Sequence, residues 1–264
     1  MERLLFLGVG TIARAVRREL PGLPAAGTTR VAPDQRFADI RPIAANDSAA
    51  IGMHAQGAHV VVSVPPDGSV DRAWSRLVTG AASIAYLSST AVYPANAGVV
   101  SEASAVSADS ERAALRLAAE QLWLEAGASV VRLPAFYGRS TGLHVSLARG
   151  TFRMPGSGSN VVSRVHEDDA ARFVCAALRA APRSLLLAGD DQPSPVAEVV
   201  RFVCALFDLP APPSSEGEQI PLSLRASRRI DNHATKAGHG IALAYPTYRE
   251  GYRAIHQALT NSPG

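Results

Sequence analysis

Short apolar runs alternate with amphipathic stretches along the first two-thirds of the chain. Short apolar runs predict buried strands, and apolar positions that recur every three or four residues predict helices. The strand candidates are residues 4–7, a weak strand ending at 28–29, a poorly marked strand within 37–44, and residues 60–64, 84–88, 130–133 and 185–187; the helix candidates are 11–20, 69–79, 111–126 and 169–181. This alternation predicts an α/β fold with a doubly wound parallel sheet that helices cover on both faces.

The pattern changes after residue 187, where prolines at positions 193, 195, 210, 212 and 213 interrupt the apolar runs. Two further helices are predicted there, over 196–206 and 246–259. We therefore expect a sheet domain over residues 1–190 and a small C-terminal substrate lobe over 191–264, to which the loop 138–163 contributes. Such a lobe would lie over the carboxyl edge of the sheet, where open α/β sheets bind their ligands.

A glycine-rich loop follows the first strand and opens the first helix, with the sequence G-V-G-T-I-A at positions 8–13. In this G-x-G-x-x-A spacing Gly8 permits a tight turn, Gly10 lets a pyrophosphate approach the backbone, and Ala13 lets the helix pack against the strand. Free N–H groups at Thr11 and Ile12 would meet the phosphate charge. The loop predicts a dinucleotide-binding site, and the alternative is a glycine loop that only joins a strand to a helix.

The end of the second strand indicates which dinucleotide is bound. NAD sites place an Asp or Glu about 20 residues after the glycine loop, where it holds the ribose 2′-hydroxyl. Here the strand ends in Thr29 and Arg30, and no acid follows before Asp34. Because arginine can pair bidentately with a 2′-phosphate and Thr29 can donate to it, the sequence favours NADP over NAD. The alternative is that Arg30 is a solvated loop residue, since the chain is rich in arginine.

Composition narrows the class of protein. Of the 264 residues 47% are apolar and 19% charged, which excludes a disordered chain and allows a sizeable core. The 26 basic and 23 acidic residues give a net charge of +3, too small and too scattered to predict a nucleic-acid or membrane partner. No apolar run approaches the roughly 18 residues of a membrane span, so we expect a cytoplasmic protein.

The cysteines and histidines predict neither a disulfide framework nor a metal site. Cys175 and Cys204 lie within apolar helical segments and are expected to be free thiols. His54 and His59 suggest a metal pair, but no further His, Cys or acid completes a set at ligand spacing. The lysine count restricts the chemistry further. Lys236 is the only lysine among the 26 basic residues, so a mechanism that needs a lysine elsewhere is excluded.

Several weak motifs occur in one order along the chain. L-S-S-T-A-V-Y spans 87–93, R-L-P-A-F-Y-G spans 132–138, and R-V-H-E-D-D-A-A spans 164–171. With the glycine loop and V-V-S-V-P-P at 61–66, residues 4 to about 185 resemble the extended short-chain dehydrogenase/reductases, the NAD(P)-dependent epimerase/dehydratase-like group. The resemblance implies a Rossmann fold. It also places five residues beside the cofactor, namely Ser63, Val64, Pro65, Ser88 and Pro134.

The sequence departs from that family at its catalytic dyad. The resemblance implies Tyr-x-x-x-Lys on the helix after the Ser-Ser-Thr strand, with a Glu four residues beyond the lysine. When the register is anchored on Glu120, Arg116 stands at the lysine position and Arg112 at the tyrosine position. The chain therefore resembles an atypical branch that lacks the dyad. Arg116 could still hold the nicotinamide ribose, whereas Arg112 cannot be the acid, because a guanidinium does not deprotonate in this pH range.

The proton that accompanies hydride transfer must then come from another group. Ser89 matches the family's catalytic Ser/Thr and can donate a hydrogen bond to a carbonyl oxygen, or relay a proton through water. Tyr93 is a second candidate, because the resemblance places its position beside the substrate; alternatively it only shapes the pocket. Arg112, Arg116 and Glu120 are also spaced as a solvated ion-pair stripe on one helix face, which is the alternative to a role in the site.

We expect an NADPH-dependent oxidoreductase that reduces a small carbonyl or imine substrate. Arginines at positions 112, 116, 139 and 164 favour an anionic one. One alternative is a nucleotide-sugar epimerase or dehydratase, which the missing dyad, Arg30 and the short C-terminal lobe weaken. Another is a non-catalytic NADP-binding pseudoenzyme. The resemblance also implies a homodimer formed through helix 111–126.

Overall fold

In the computed structural model, which describes residues 1–215 and 225–261 except the side chain of Arg36, seven parallel strands form one sheet. The strands of the chain are β1 (Leu4–Leu7), β2 (Ala25–Thr29), β3 (Arg41–Ala44), β4 (His59–Val62), β5 (Ser83–Ser89), β6 (Gly98–Val100), β7 (Ser129–Leu133), β8 (Ala135–Tyr137), β9 (Met154–Pro155), β10 (Val161–Val162), β11 (Arg164–His166), β12 (Leu185–Leu187), β13 (Ser194–Pro195), β14 (Ser214–Ser215) and β15 (Arg228–Ile230). The large sheet has the order β12-β7-β5-β4-β1-β2-β3. The strand order reverses between β1 and β4, which is the switch point where such sheets bind ligands.

The described helices connect the strands and cover the sheet. They are α1 (Thr11–Glu19), α2 (Ser48–Ala55), α3 (Ser69–Leu77), α4 (Glu111–Glu125), α5 (Leu143–Ala148), α6 (Glu167–Arg179), α7 (Val196–Phe207), α8 (His233–His239) and α9 (Tyr248–Thr260). Within the described ranges, no helix is both long and apolar enough to cross a bilayer.

Apolar side chains fill both faces of the large sheet, because successive residues of a strand point to opposite sides. On one face α1 and α6 pack over strand residues such as Phe6 and Val61. On the other face α2, α3 and α4 pack over Leu5 and Val62. The central strands are therefore buried along their length, which explains why they are continuously apolar in the sequence.

A smaller lobe begins where the chain leaves the carboxyl end of β7. Helices α5, α7 and α9 pack around Tyr137 and Tyr252, whose stacked rings lie 4.5 Å apart. A second sheet of order β13-β10-β15-β6 flanks it. The chain then returns to the large sheet, where Leu187 N donates to Thr235 Oγ1 at 3.0 Å. The division into residues 1–190 and 191–264 stays a prediction.

The predicted α/β architecture and its parallel sheet are confirmed. The poorly marked third strand is shorter than predicted, since Gln35–Phe37 forms a 3₁₀ turn and the strand spans Arg41–Ala44. Helix α2 was not predicted, because its sequence has no clear apolar face: Ile51 is buried while Met53 is 64% exposed. The short strands β6 and β15 were not predicted either, because they pair residues far apart in the chain.

Candidate functional site

The glycine loop lies at the switch point, between the carboxyl ends of β1 and β4. Gly8 has a φ of +93°, and a Cβ there would lie 2.9 Å from Val64 Cγ1. Its N–H donates to Thr28 Oγ1 at 2.8 Å, and its carbonyl accepts from Ser63 Oγ at 2.7 Å. A side chain at position 8 would therefore be strained and would push the two strand ends apart.

Gly10 is the position where the loop opens outward. A Cβ at Gly10 would meet no atom within 4 Å, and the residue is exposed. It precedes α1 without a side-chain cap, so the N–H groups of Thr11 and Ile12 have no intrahelical acceptor. Ala13, by contrast, is fully buried against the sheet. This exposed helix start, with backbone donors and no side chain in front of them, is suited to an anion such as a pyrophosphate.

A cavity of about 630 Å³ opens beside the carboxyl ends of β2 and β3. Arg30 lies in its wall; the side chain is exposed and makes no hydrogen bond or ion pair with any described residue. Thr29 also lines it, but its hydroxyl donates to Val31 O at 2.7 Å. The predicted donation from Thr29 to a 2′-phosphate would therefore require that bond to break. Arg30 lines the cavity with its guanidinium free of described partners, and its contact with a phosphate stays a prediction.

The sequence did not identify the rest of this cavity. Asn46, which follows β3, and Val70 and Trp74 of α3 also line it. Apolar surface with one amide is suited to a purine base, since a base stacks on apolar walls and hydrogen-bonds through its edge. Local signals could not find these residues, because they follow different strands and meet only when the sheet forms.

Of the residues that the resemblance places at the cofactor, those after β4 lie beside Gly8. Ser63 is half-buried and held by the Gly8 carbonyl, Val64 is 8% exposed, and Pro65 is exposed. Pro134 is buried directly after β7. Their contacts with a cofactor stay a prediction.

Ser88 belongs to a buried polar network under the sheet edge. Its hydroxyl donates to Glu120 Oε1, and the same carboxylate accepts from Arg132 Nε at 3.1 Å and Nη2 at 2.7 Å. Glu120 is 4% exposed and Arg132 is 7% exposed. The predicted alternative of a solvated ion-pair stripe is therefore wrong for Glu120. Because the Ser88 hydroxyl is bound to Glu120, only the backbone of Ser88 could contact a cofactor.

Tyr93 extends the same network inward. Its hydroxyl donates to Ser101 O at 3.1 Å and accepts from Arg132 Nη1 at 3.0 Å, and the residue is 2% exposed. A proton donor must reach the substrate, whereas this phenol is buried and its proton is committed to a backbone carbonyl. Tyr93 therefore has a structural role, and its geometry does not support the predicted role of proton donor.

Ser89 ends β5 at the carboxyl edge and begins the 3₁₀ turn Thr90–Val92. The residue is half-buried, and its Oγ accepts from Ala91 N at 3.2 Å. No described residue accepts the hydroxyl proton of Ser89. The hydrogen bond from Ala91 N therefore orients the Ser89 hydroxyl, and the hydroxyl can still donate its own hydrogen bond to a ligand.

The two arginines at the dyad positions differ in their surroundings. Arg116 is half-buried, and its Nη1 donates to Leu87 O at 3.2 Å, beside the sheet edge. Arg112 is exposed and makes no contact with a charged described residue. Arg116 therefore contacts β5 near its carboxyl end, whereas Arg112 stays on the helix surface; a role of Arg116 at a cofactor stays a prediction.

A second group of buried polar side chains lies between the large sheet and the lobe. Tyr137 Oη, Arg164 Nη1 and Asp190 Oδ2 are buried without a hydrogen-bond partner among the described residues. Burial raises the pKa of Asp190 to about 8, although Arg164 opposes the shift. Burial therefore favours the protonated form of the Asp190 carboxyl, and the positive charge of Arg164 opposes it.

His166 caps α6 with its side chain. The Asp168 N–H donates to His166 Nδ1 at 3.2 Å, and burial lowers the pKa of His166 to about 4. Asp169 instead accepts from the backbone of Ala244 and Tyr245 at 2.7 and 2.9 Å. Within the described ranges, no group of three His, Cys, Asp or Glu residues is placed to hold a metal ion.

Comparison with known proteins connects the chain to others by structure alone. No protein-family model and no curated protein sequence matches it. A conserved protein of unknown function from Silicibacter pomeroyi is 26% identical, covers 99% of this chain and 100% of its own, and superposes with a TM-score of 0.84. MoeE5 in complex with UDP-glucose and NAD is 19% identical over 98% of this chain and 99% of its own, with a TM-score of 0.81.

UDP-glucose 4-epimerase from Thermotoga maritima, solved with UDP-glucose, is 15% identical over 98% of this chain and 99% of its own, with a TM-score of 0.82. At these identities the likeness to the two sugar-nucleotide proteins establishes a shared fold. The chain thus has the Rossmann fold found in NAD-dependent epimerase/dehydratase-like structures, and it covers 99% of the MoeE5 and Thermotoga chains.

Proposed function

We propose that the chain is a nicotinamide-dinucleotide-dependent enzyme whose reaction takes place at the carboxyl edge of the sheet, beside Ser89. The exposed start of α1 at Gly10 is the observation that carries this proposal. It offers partnerless backbone N–H groups at the switch point, and the cavity lined by Arg30 lies at the ends of the neighbouring strands. NAD in the complex with MoeE5 supports the same cofactor class for this fold.

The residues of the chain would bind and orient, while the cofactor supplies the hydride. The start of α1 would hold the pyrophosphate and Arg116 would hold the nicotinamide ribose. The Ser89 hydroxyl, whose proton has no acceptor among the described residues, would donate it to the carbonyl oxygen of the substrate as negative charge develops there. Because neither Arg112 nor Tyr93 can supply the acid, a water molecule hydrogen-bonded to Ser89 would complete the proton relay.

Replacing Gly10 by valine should abolish dinucleotide binding while the fold remains intact. The site of the new side chain is open, and the backbone of Gly10, with φ −98° and ψ −169°, is extended, so the free energy of unfolding should change by less than about 0.5 kcal/mol. The isopropyl group would occupy the approach of the pyrophosphate, and calorimetric affinity for NADP⁺ and NAD⁺ should fall by about 100-fold or more.

The matched variant is Gly8→Val in the same loop. It should lose about 1–3 kcal/mol of stability, because position 8 has a positive φ and its Cβ would meet Val64. The proposal would be refuted if Gly10→Val bound dinucleotides as tightly as the wild type. It would also be refuted if the wild type bound neither dinucleotide.

We further propose NADP over NAD on the basis of Arg30. Arg30→Asp should weaken NADP⁺ binding by about tenfold to 100-fold, because it removes the guanidinium from the cavity and adds a charge that repels the 2′-phosphate. NAD⁺ binding should be unchanged or improved, since a carboxylate can accept from the 2′-hydroxyl. Arg201→Asp, at an exposed position of α7, is the control. Equal affinities of the wild type for both dinucleotides would refute the preference.

A nucleotide-sugar epimerase or dehydratase is the second candidate, and the comparisons favour it over a reductase. MoeE5 and the Thermotoga epimerase were solved with UDP-glucose. Such enzymes regenerate their cofactor and retain it, so mass spectrometry of the purified native protein should find stoichiometric bound NAD⁺ or NADP⁺. A reductase instead exchanges its cofactor in every turnover, and the purified protein should then take up added NADPH and consume it with a carbonyl substrate.

A further inference from the structure

Arg228 lies at the carboxyl edge of the large sheet, although it is far from β5 in the sequence. It comes from β15, which pairs with β6 so that Arg228 is opposite Gly98. Its Nη1 donates to Tyr93 O at 2.8 Å and also to Thr90 O. Thr90 follows Ser89 directly, so the guanidinium is tied to the turn that orients the Ser89 hydroxyl.

The charge of Arg228 has no counter-ion among the described residues. Several other arginines that are at least half-buried form ion pairs, namely Arg132 with Glu120, Arg172 with Asp169 and Arg249 with Glu198. Arg228 instead donates only to backbone carbonyls, and both of these hydrogen bonds come from Nη1. Its Nε and Nη2 form no hydrogen bond with a described residue and are not fully buried, so both can donate to a ligand.

A second guanidinium, that of Arg116, has no carboxylate partner among the described residues and binds the backbone of β5 just before Ser89. Arg116 donates to Leu87 O, two residues before Ser89, while Arg228 donates to Thr90 O, one residue after it. The nearest acid of α4, Glu120, is fully used by Arg132 and Ser88. Arginine side chains therefore bind the backbone on both sides of Ser89 in the sequence, and a half-buried guanidinium with two free N–H donors is a geometry that binds a carboxylate.

We infer that Arg228 is a substrate-binding residue and that the substrate carries a carboxylate next to the carbon that reacts beside Ser89. The inference rests on the proposed function and adds the substrate class to it. A carboxylate fits better than a more distant diphosphate, because Arg228 is held against the residue next to Ser89 itself.

The test is calorimetric titration of oxalate, a small planar dicarboxylate, into the full chain saturated with NADP⁺ at low ionic strength. Arg228→Met should weaken oxalate binding by about tenfold or more, because a charge-assisted pair is lost. Arg229→Met is the matched control: Arg229 is exposed and points to the opposite face of β15. It should alter the affinity by less than about twofold, and NADP⁺ affinity should stay unchanged in both variants.

Three results would overturn the inference: wild-type oxalate affinity in Arg228→Met, no oxalate binding to the NADP⁺ complex of the wild type, or Arg228-dependent binding of UDP in place of oxalate. The last result would assign the arginine to a diphosphate. Failure of NADP⁺ itself to bind would overturn the proposed function instead, so the two failures are distinguishable.

If Arg228→Met does not fold, chemical modification of the wild type tests the same inference. Phenylglyoxal modifies accessible arginines, and peptide mapping by mass spectrometry locates each modified site. Oxalate should slow modification of Arg228 several-fold and leave Arg229 unaffected. Equal rates at Arg228 with and without oxalate would contradict the inference.

Discussion

Replacing Glu120 by alanine should lower the free energy of unfolding by about 3–5 kcal/mol, because it leaves a buried guanidinium without its partner. Both oxygens of the carboxylate bind Arg132, and Oε1 also accepts from the Ser88 hydroxyl. Arg132 is only 7% exposed, so water cannot replace the lost partner without entering the protein. Urea denaturation of the wild type and the variant measures the difference.

Glu125→Ala is the control on the same helix. Glu125 is exposed and accepts a hydrogen bond from Gln121, so its loss should cost less than about 0.5 kcal/mol. Glu120→Gln keeps the shape and should cost less than Glu120→Ala. A loss below about 1 kcal/mol in Glu120→Ala would show that Arg132 is solvated, and the buried network would have to be abandoned.

Asp190→Asn should change how the stability of the protein depends on pH. Burial raises the pKa of Asp190 to about 8, well above that of an unfolded aspartate. Between those two pKa values the folded state holds a proton that the unfolded state has released, so the folding free energy contributed by this group declines as pH rises. The slope is about 1.4 kcal/mol per pH unit, and the contribution is fully present only below the ordinary carboxyl pKa.

The measurement is the difference in unfolding free energy between Asp190→Asn and the wild type at each pH from 4.5 to 8. That difference should move in favour of the variant by several kcal/mol across this range, because asparagine cannot ionise. Taking the difference cancels the histidines and other carboxyls that both proteins share. A difference that stays constant with pH would mean that Asp190 is ionised in the fold.

Much of the candidate site could be predicted where the signal is local. The glycine loop could be predicted from the order strand, loop and helix alone. As the spacing indicates, Gly8 is the crowded position of the loop and Gly10 is the open one. Arg30 lies in a cavity wall for the same reason, since it directly follows a strand. Tyr93 was harder, because a motif places its backbone beside the edge but does not say where the phenol points. The partners that bury it, Arg132 and Ser101, belong to other elements.

The sequence by itself determined the alternation of strands and helices, the parallel sheet, the loop at its first turn and the presence of a single lysine, Lys236. Each of these depends on neighbouring residues or on counting. Only the tertiary structure decided that Glu120 pairs with Arg132, that Thr29 uses its hydroxyl on its own turn, and that Arg228 comes to the edge where Ser89 ends a strand. Arg228 and Thr90 are separated by 138 residues, and no local preference encodes a contact that exists only after the second sheet has closed against the first.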